Sequence, residues 1–362
     1  MSKRSALKVA SFFAGAGGLD LGFKLAGFEV PWANEYDKSI WETYKFNHPE
    51  TELDQRSITE IEGDDVPTVN GFIGGPPCQS WSEAGSLRGI SDHRGQLFFE
   101  YLRLIDEKKP DFFLAENVSG ILFSRHSNAF TSILSGFTRL GYNVSFGLLS
   151  SNDYGVAQVR ERVIIVGYKT SIGKVFSPPQ PQSYKPVFKD IIWDLKDSAV
   201  PAAEGNKSNP DLEIPNHEYM TGGFSSMFMS RNRVRSWDEP SFTIQAGGRH
   251  APLHPQAPKM KHVGKDSYEF VKEKEELYRR LTVREAARVQ AFPDDFVFHY
   301  RNVSDGYKMI GNAVAVTFAK HLADQIYLDL QDVDLSIRSN KKGEIVNFEE
   351  LSSIQMRLTG VS

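Results

Sequence analysis

Residues 9–26 read VASFFAGAGGLDLGFKLA, an apolar run that passes through a glycine-rich loop into an amphipathic segment. The pattern predicts a strand, a loop and a helix. Glycines in such a loop let the backbone approach a ligand, and they leave helix N-terminal amides open to it. A dinucleotide fingerprint would need a third glycine at position 20, which is Asp20. The loop therefore favours a smaller nucleoside ligand, with a plain strand-to-helix turn as the alternative.

The same alternation of apolar and amphipathic segments continues along the chain. Strands are predicted at 29–33, 71–74, 112–115, 144–149 and 163–166, and helices at 37–47, 96–108 and 128–140. This order predicts an α/β fold whose largely parallel sheet is covered by helices. Ligands of such sheets bind beyond the carboxyl ends of the strands.

The sequence pattern changes at about Ser177, where prolines become frequent and long helices are no longer predicted. We expect a smaller, loop-rich second domain at 186–271. Helical periodicity returns at 272–290, and a last helix is predicted at 314–330. The first domain is therefore expected to comprise 1–185 and 272–330, followed by a tail, 331–362, to which no role is assigned.

Composition excludes several classes of protein. The 362 residues are 40% hydrophobic and 24% charged with a net charge of -4, as in globular proteins and unlike disordered ones. No run reaches the roughly 18 apolar residues of a membrane span. The single cysteine, Cys78, allows neither an internal disulfide nor a cysteine-based zinc cluster. We expect a cytoplasmic protein without membrane association.

Several polar residues follow predicted strands. Glu35 ends the second strand, where an acid commonly holds a ribose diol, and the neighbouring Tyr36 and Phe13 would flank an adenine. The alternative is a solvated carboxylate. Cys78 follows two prolines that stiffen its loop, which favours a displayed nucleophile over an inert buried thiol.

Two more groups point to the same edge of the sheet. Glu116-Asn117 ends a strand that is apolar on both faces, so the carboxylate is expected to be partly desolvated, although a solvated strand-end acid is equally compatible. Gln158, Arg160 and Arg162 alternate, which places them on one face of an extended segment. They form either an ion-pair ladder or a site for an anionic or carbonyl-bearing substrate.

A local basic segment indicates a nucleic-acid substrate. Residues 221–262 contain six Lys and Arg and two acidic residues, so this segment is +4 in a protein of net charge -4. Arginine also reads guanine through bidentate hydrogen bonds. A solvated basic loop is the alternative.

Six motifs lie along the chain, namely Phe13–Gly18, Gly75–Ser80, Glu116–Val118, Gln158–Arg162, Arg284 with Gln290–Pro293, and Gly311–Val314. In order and approximate spacing, over about residues 8 to 325, this set resembles the DNA cytosine-5 methyltransferases. The segment 229–260 is similar to that of bacterial HaeIII-type enzymes that modify GGCC.

The resemblance implies a Rossmann-like class I methyltransferase sheet with a target-recognition domain, and S-adenosylmethionine as the methyl donor, without a metal. Cys78 would attack C6 of cytosine, so that C5 becomes nucleophilic enough to accept the methyl group. Glu116 would contact N3 and the exocyclic amine, and Arg162 would hold O2. Asn117 would support this geometry, and Arg160 the loop or backbone.

By the same resemblance, twelve residues would bind the cofactor. They are Phe13, Gly15, Gly17, Gly18, Glu35, Tyr36, Ser57, Ile58, Pro77, Leu97, Asn312 and Val314.

The DNA contacts are implied in the same way. The target base would be flipped out of the double-stranded DNA. Ser82, Arg94 and the 85–95 loop would close over the cytosine, and Arg231, Arg233, Arg235 and Arg249 would contact guanines or phosphates. A monomer without an obligate protein partner is expected, associated with the bacterial nucleoid and protecting host DNA in a restriction-modification system.

The chain departs from the family at Ser11 and Ser57, where acids are common, and at Ala315, where proline is common. Ser57 still accepts a hydrogen bond, so weaker cofactor anchoring is expected and not loss of activity. Three alternatives stay open from the sequence: a methyltransferase acting on transfer RNA, a catalytically silent DNA-binding module, and a nicotinamide oxidoreductase. Asp20 argues against the last of these.

Overall fold

The centre of the protein is an eight-stranded sheet, seen in a computed structural model that describes residues 6–77, 93–209, 211–331, 333, 335 and 342–349, without the side chains at 93–96 and 125. In chain order the strands are β1 Lys8–Phe12, β2 Glu29–Asn34, β3 Glu52–Asp54, β4 Gly71–Gly74, β5 Phe112–Val118, β6 Tyr142–Ser150, β7 Glu161–Lys169, β8 Val200–Pro201, β9 Glu218–Tyr219, β10 Lys261–Gly264, β11 Ser267–Glu269 and β12 Ile345–Asn347.

The sheet order is β12-β6-β7-β5-β4-β1-β2-β3. Only β7 runs against its neighbours in this sheet, as its antiparallel pairing with β5 and β6 shows, so the predicted largely parallel sheet is confirmed. The helices are α1 Gly18–Leu25, α2 Trp41–Asn47, α3 His93–Lys108, α4 Ser127–Arg139, α5 Phe188–Ile192, α6 Val283–Val289, α7 Val303–Asn312 and α8 Val316–Leu330.

Helices cover both faces of the sheet because successive strand residues point to opposite sides. Val9 and Ile73 face a core that includes α1 and α8. Ala10 and Phe72 face a second core with α3 and α4. Gly22 of α1 allows close packing on α8, because a Cβ at that position would lie 2.4 Å from the Cβ of Ala319.

A third core joins the loop-rich segment to the helices α6 and α7. Phe188, Met220 and Ile244 pack with residues of α6 and α7 in one buried cluster. The loop-rich segment also has a smaller cluster around Phe228 and Leu253. The predicted smaller domain therefore shares much of its core with residues 281–316.

One prediction about the C-terminal part is wrong. The helix expected over 272–290 is broken: Lys272–Leu277 forms short 3-10 turns interrupted at Lys274, and α6 begins only at Val283. Between them the chain is extended and Leu253 pairs with Arg280. Part of the tail, β12, adds a strand beside β6. No helix within the described ranges is long and apolar enough to cross a membrane.

Candidate active site

The carboxyl ends of β1, β2, β4 and β5 surround a cavity of about 600 Å³. Its wall includes the glycine loop after β1, Glu35 after β2, Gly75–Pro77 after β4, Glu116 and Asn117 at the end of β5, and residues 312–314. The sequence motifs that follow different strands therefore meet in one cavity, as expected for ligand sites in open parallel sheets.

Glu35 fixes the shape of one end of this cavity. Its carboxylate accepts the N–H of Gly15 at 2.9 Å and the N–H of Asp37 at 2.7 Å. Burial raises the pKa of Glu35, and the two backbone hydrogen bonds oppose that rise. Gly15 has a φ of +57° and open space where a Cβ would project, so its backbone is accessible to a ligand.

Glu116 and Arg162 form an ion pair at the other end. Because β5 and β7 are antiparallel neighbours, Val118 lies opposite Arg162, and the Arg162 Nε reaches the Glu116 Oε1 at 2.7 Å. Both side chains are nearly buried, with 13% and 11% exposed. The arginine therefore orients a carboxylate that lines the cavity.

Asn117 holds the loop that leads to Cys78. Its side-chain amide donates to the carbonyl of Pro76 at 3.0 Å and accepts from the N–H of Val118 at 2.9 Å. Pro76 and Pro77 line the cavity. Cys78 and Ser82 lie outside the described residues, as does the side chain of Arg94.

Half of the cofactor residues proposed from the sequence line the cavity and half do not. Those in its wall are Phe13, Gly15, Glu35, Pro77, Asn312 and Val314. Those elsewhere are Gly17, Gly18, Tyr36, Ser57, Ile58 and Leu97.

The six residues outside the cavity wall make contacts elsewhere or lie at the surface. A Cβ on Gly17 would lie 2.1 Å from His48 Nε2, and one on Gly18 would lie 2.4 Å from the Val314 oxygen. Tyr36 is 69% exposed, and the Ser57 hydroxyl lies 2.8 Å from that of Thr59. Ile58 and Leu97 pack in the second core of the sheet.

The sequence did not predict several residues in the wall. Asp37 lies two residues after Glu35, so alternation along an extended segment was an available signal. Ile121 and His126 reach the cavity from short 3-10 turns after β5. Such turns carry no periodic pattern from which their direction is predictable.

Ser11 also lines the cavity, and a hydrogen bond to a buried acid holds its hydroxyl. Its hydroxyl donates to Asp20 Oδ1 at 2.6 Å, and Tyr44 donates to Asp20 Oδ2 at 2.5 Å. Burial raises the pKa of Asp20. At another departure from the family, Ala315 has a φ of -62°, an angle that proline also adopts, so the backbone conformation at this position is compatible with either residue.

Arg160 is buried and does not line the cavity. Its guanidinium donates to the carbonyls of Ile244, Gly311 and Ala313 at 3.0, 2.8 and 3.1 Å. Burial lowers the pKa of Arg160 to about 9. The alternation expected for Gln158, Arg160 and Arg162 is present, but only Arg162 reaches the carboxylate at the cavity.

Three of the four candidate DNA-reading arginines surround one groove of about 290 Å³, namely Arg231, Arg233 and Arg235. Arg233 donates to the carbonyls of Phe228 and Met227, and Arg235 pairs with Glu239. Arg231 and Arg249 are exposed and have no hydrogen bond or ion pair to any residue that the structure describes.

The comparison with protein families decides the class of the protein. Residues 7–328 match the family model of C-5 cytosine-specific DNA methylases. The chain belongs to this family. It is 55% identical to the Type II methyltransferase M.NgoPII of Neisseria gonorrhoeae, over 90% of this chain and 96% of that protein. It is 54% identical to M.FnuDI of Fusobacterium nucleatum, with the same coverage.

Solved structures share the fold of this methyltransferase. A DNMT2 variant from Spodoptera frugiperda is 16% identical with a TM-score of 0.62, over 89% of this chain and 100% of that one. The Entamoeba histolytica methyltransferase EhMeth is 16% identical with a TM-score of 0.65, over 90% and 99%. The predicted methyltransferase fold and enzyme class are confirmed, and the oxidoreductase, the silent module and the RNA enzyme are not supported.

Proposed function

We propose that this methyltransferase transfers a methyl group from S-adenosylmethionine to C5 of a flipped-out cytosine in duplex DNA, within GGCC. The observation that carries the proposal is the single cavity that Glu35, the Pro76-Pro77 loop and Glu116 line together. A nucleoside site and a base site are thereby adjacent.

The residues present fit the proposed cofactor. A volume of about 600 Å³ is within the usual range for small-molecule sites. Each Glu35 oxygen accepts one backbone N–H, which leaves lone pairs for the ribose hydroxyls. Phe13, Gly15, Asn312 and Val314 would hold the rest of the nucleoside. When bound, the cofactor supplies an electrophilic methyl group on its sulfonium.

The chain's own residues would prepare the base to accept that methyl group. The Cys78 thiolate adds to C6, which makes C5 nucleophilic. Glu116 contacts N3 and the amine, and Arg162 orients Glu116 and holds O2. Once C5 carries the methyl group, its proton passes to solvent, and the electron pair of the C5–H bond re-forms the C5–C6 double bond as the C6–S bond breaks, which frees the Cys78 thiolate and the product. Asn117 and Arg160 act as positioning residues.

DNA recognition is assigned to the loop-rich domain, 186–271. Its arginine groove offers guanidinium groups suited to guanines and phosphates. Because a stacked base is inaccessible, the target cytosine must leave the helix. The protein would act as a monomer in the bacterial cytoplasm and protect host DNA in a restriction-modification system.

The first experiment measures labelled methyl transfer from S-adenosylmethionine to duplexes with and without GGCC, using wild type and Cys78→Ala. We expect label only on GGCC duplexes and none with the variant, because removing the nucleophile abolishes the addition to C6. Label on other sequences would refute the recognition assignment alone. Absence of label on every duplex would refute the proposed chemistry.

A further inference from the structure

Two buried glutamines form a directed chain of hydrogen bonds between the loop-rich domain and the cavity wall. The backbone N–H of Ile244 donates to Gln158 Oε1 at 2.7 Å. Gln158 Nε2 donates to Gln290 Oε1 at 2.9 Å, and Gln290 Nε2 donates to the carbonyl of Ile310 at 2.9 Å. Both glutamines are fully buried, so a lost partner would leave an unsatisfied amide in the interior.

One end of this chain of amides lies beside the arginine groove. Thr243 and Gln245, the neighbours of Ile244, line the groove together with Arg231, Arg233 and Arg235. The hydroxyl of Thr243 also donates to the carbonyl of Val159 at 2.7 Å. Displacement of Ile244 would therefore move two residues of the groove.

The other end lies at the proposed cofactor cavity. Gln290 Nε2 reaches the carbonyl of Ala313 at 3.4 Å, and the Gln290 carbonyl accepts the N–H of Val316 at 3.0 Å. Asn312, Ala313 and Val314 are part of the cavity wall. The same side chain thus supports a segment that would contact the cofactor.

The segment around Ile244 and the segment 310–314 of the cavity wall are in direct contact. A Cβ at Gly311 would lie 2.3 Å from the backbone N of Ala246. Arg160 adds a parallel connection, because it donates to the carbonyls of both Ile244 and Gly311. A networked, fully buried polar cluster of this kind specifies one arrangement of the segments that it joins.

We propose that Gln158 and Gln290 are positioning residues shared by the DNA groove and the cofactor cavity. They contact neither ligand, and they set the position of both binding surfaces at once. This inference rests on the function proposed above, and it adds that a change at either glutamine weakens DNA binding and cofactor binding together.

The test measures the KM for S-adenosylmethionine, the KM for a duplex and kcat in Gln290→Leu. We expect both KM values to rise about tenfold, because the amide chain loses its central member and each segment loses its anchor. Gln158→Met, which keeps the side-chain length, should raise both values as well and serves if Gln290→Leu fails to fold.

Three control variants distinguish a positioning role shared by the two sites from a role at one site and from a general loss of stability. Glu35→Gln should raise mainly the KM for the cofactor, and Arg231→Ala mainly that for DNA. Tyr168→Phe removes a partly buried 2.8 Å hydrogen bond to Asp329. Tyr168 lies opposite Phe112 at the start of β5, the end away from the cavity, so this variant should lower the melting temperature with both KM values unchanged.

A rise in only one KM in the glutamine variants would overturn the inference. A rise of both KM values in Tyr168→Phe as large as in the glutamine variants would overturn it too. Failure of the proposed function would look different, since wild type itself would then transfer no methyl group to DNA.

Discussion

At the residue scale, His48 supports the glycine loop as a neutral imidazole. It is fully buried beneath Gly17, and Lys24 Nζ lies 2.8 Å from its Nδ1. Burial, followed by the positive charge of Lys24, lowers the pKa of His48 to about 3. The loop that faces the proposed cofactor site therefore rests on a histidine that stays uncharged at neutral pH.

This histidine should make the folded state sensitive to acid. Its pKa is lower in the folded state than in the unfolded chain, so its contribution to stability is complete above pH 6.5 and is lost as pH falls toward 3. From pH 7.5 to 5.5, wild type should lose about 1.4 kcal/mol more free energy of unfolding than His48→Asn. Urea unfolding at the two pH values measures this difference, and equal losses would contradict the assignment.

The sequence predicted those site residues whose position follows directly from the geometry of a strand. Glu35 and Glu116 end strands that enter the cavity edge, and both line it. Tyr36 was expected to flank the adenine; it is 69% exposed and lies outside the cavity wall, so its role stays a prediction. The position of His126 in the wall depends on a 3-10 turn that sequence patterns do not specify, whereas Asp37 could have been found by alternation from Glu35.

At the scale of elements, the six predicted strands formed because their apolar runs are buried on both faces. The helix predicted over 272–290 was wrong in its first half. Its Lys and Glu residues favour helix locally, but Leu281 donates its N–H to the carbonyl of Pro252 and this pairing extends the chain. The strands β3 and β12 have three residues each, too few for a recognisable alternation.

The pairing of β12 with β6 depends on one glycine. A Cβ at Gly343 would lie 1.6 Å from the carbonyl oxygen of Tyr142. The adjacent Glu344 carbonyl accepts the N–H of Val144 at 2.7 Å, and Phe348 is buried against Gly147. The added strand covers the outer edge of β6, and exposed strand edges promote association between chains.

We therefore expect Gly343→Ala to release β12. The Val144 amide should exchange its hydrogen faster, and the melting temperature should fall by about 1 to 2 °C for each kcal/mol of stability lost, with a loss of about 1 kcal/mol or more expected. Gly264→Ala is the matched control, because nothing lies within 4 Å of its Cβ position. Hydrogen exchange at Val144 that is the same in both variants would show that β12 does not need this glycine.

At the scale of the whole molecule, the loop-rich domain and the C-terminal helices form one structure. Arg284 donates to the carbonyl of Pro215 at 3.0 Å, across the boundary predicted from the sequence, and to the carbonyl of Phe296 at 3.0 Å on its own side. Glu285, fully buried, pairs with Arg279 at 2.7 Å, and the His254 Nε2 lies 3.4 Å from its carboxylate. Phe188, Met220 and Ile244 share one buried apolar cluster with residues of α6, so the loop-rich segment and α6 stabilise each other.

The segment 186–271 should therefore not fold by itself. Its own cluster is small and includes Tyr278 from beyond its end, while Phe188, Met220 and Ile244 depend on α6 and α7 for burial. We expect the isolated fragment to show no cooperative thermal transition in circular dichroism, and fragment 186–316, which restores most of the shared core, to regain one. A cooperative transition in the shorter fragment would instead make it an independent domain, and the two binding surfaces would then need no common framework.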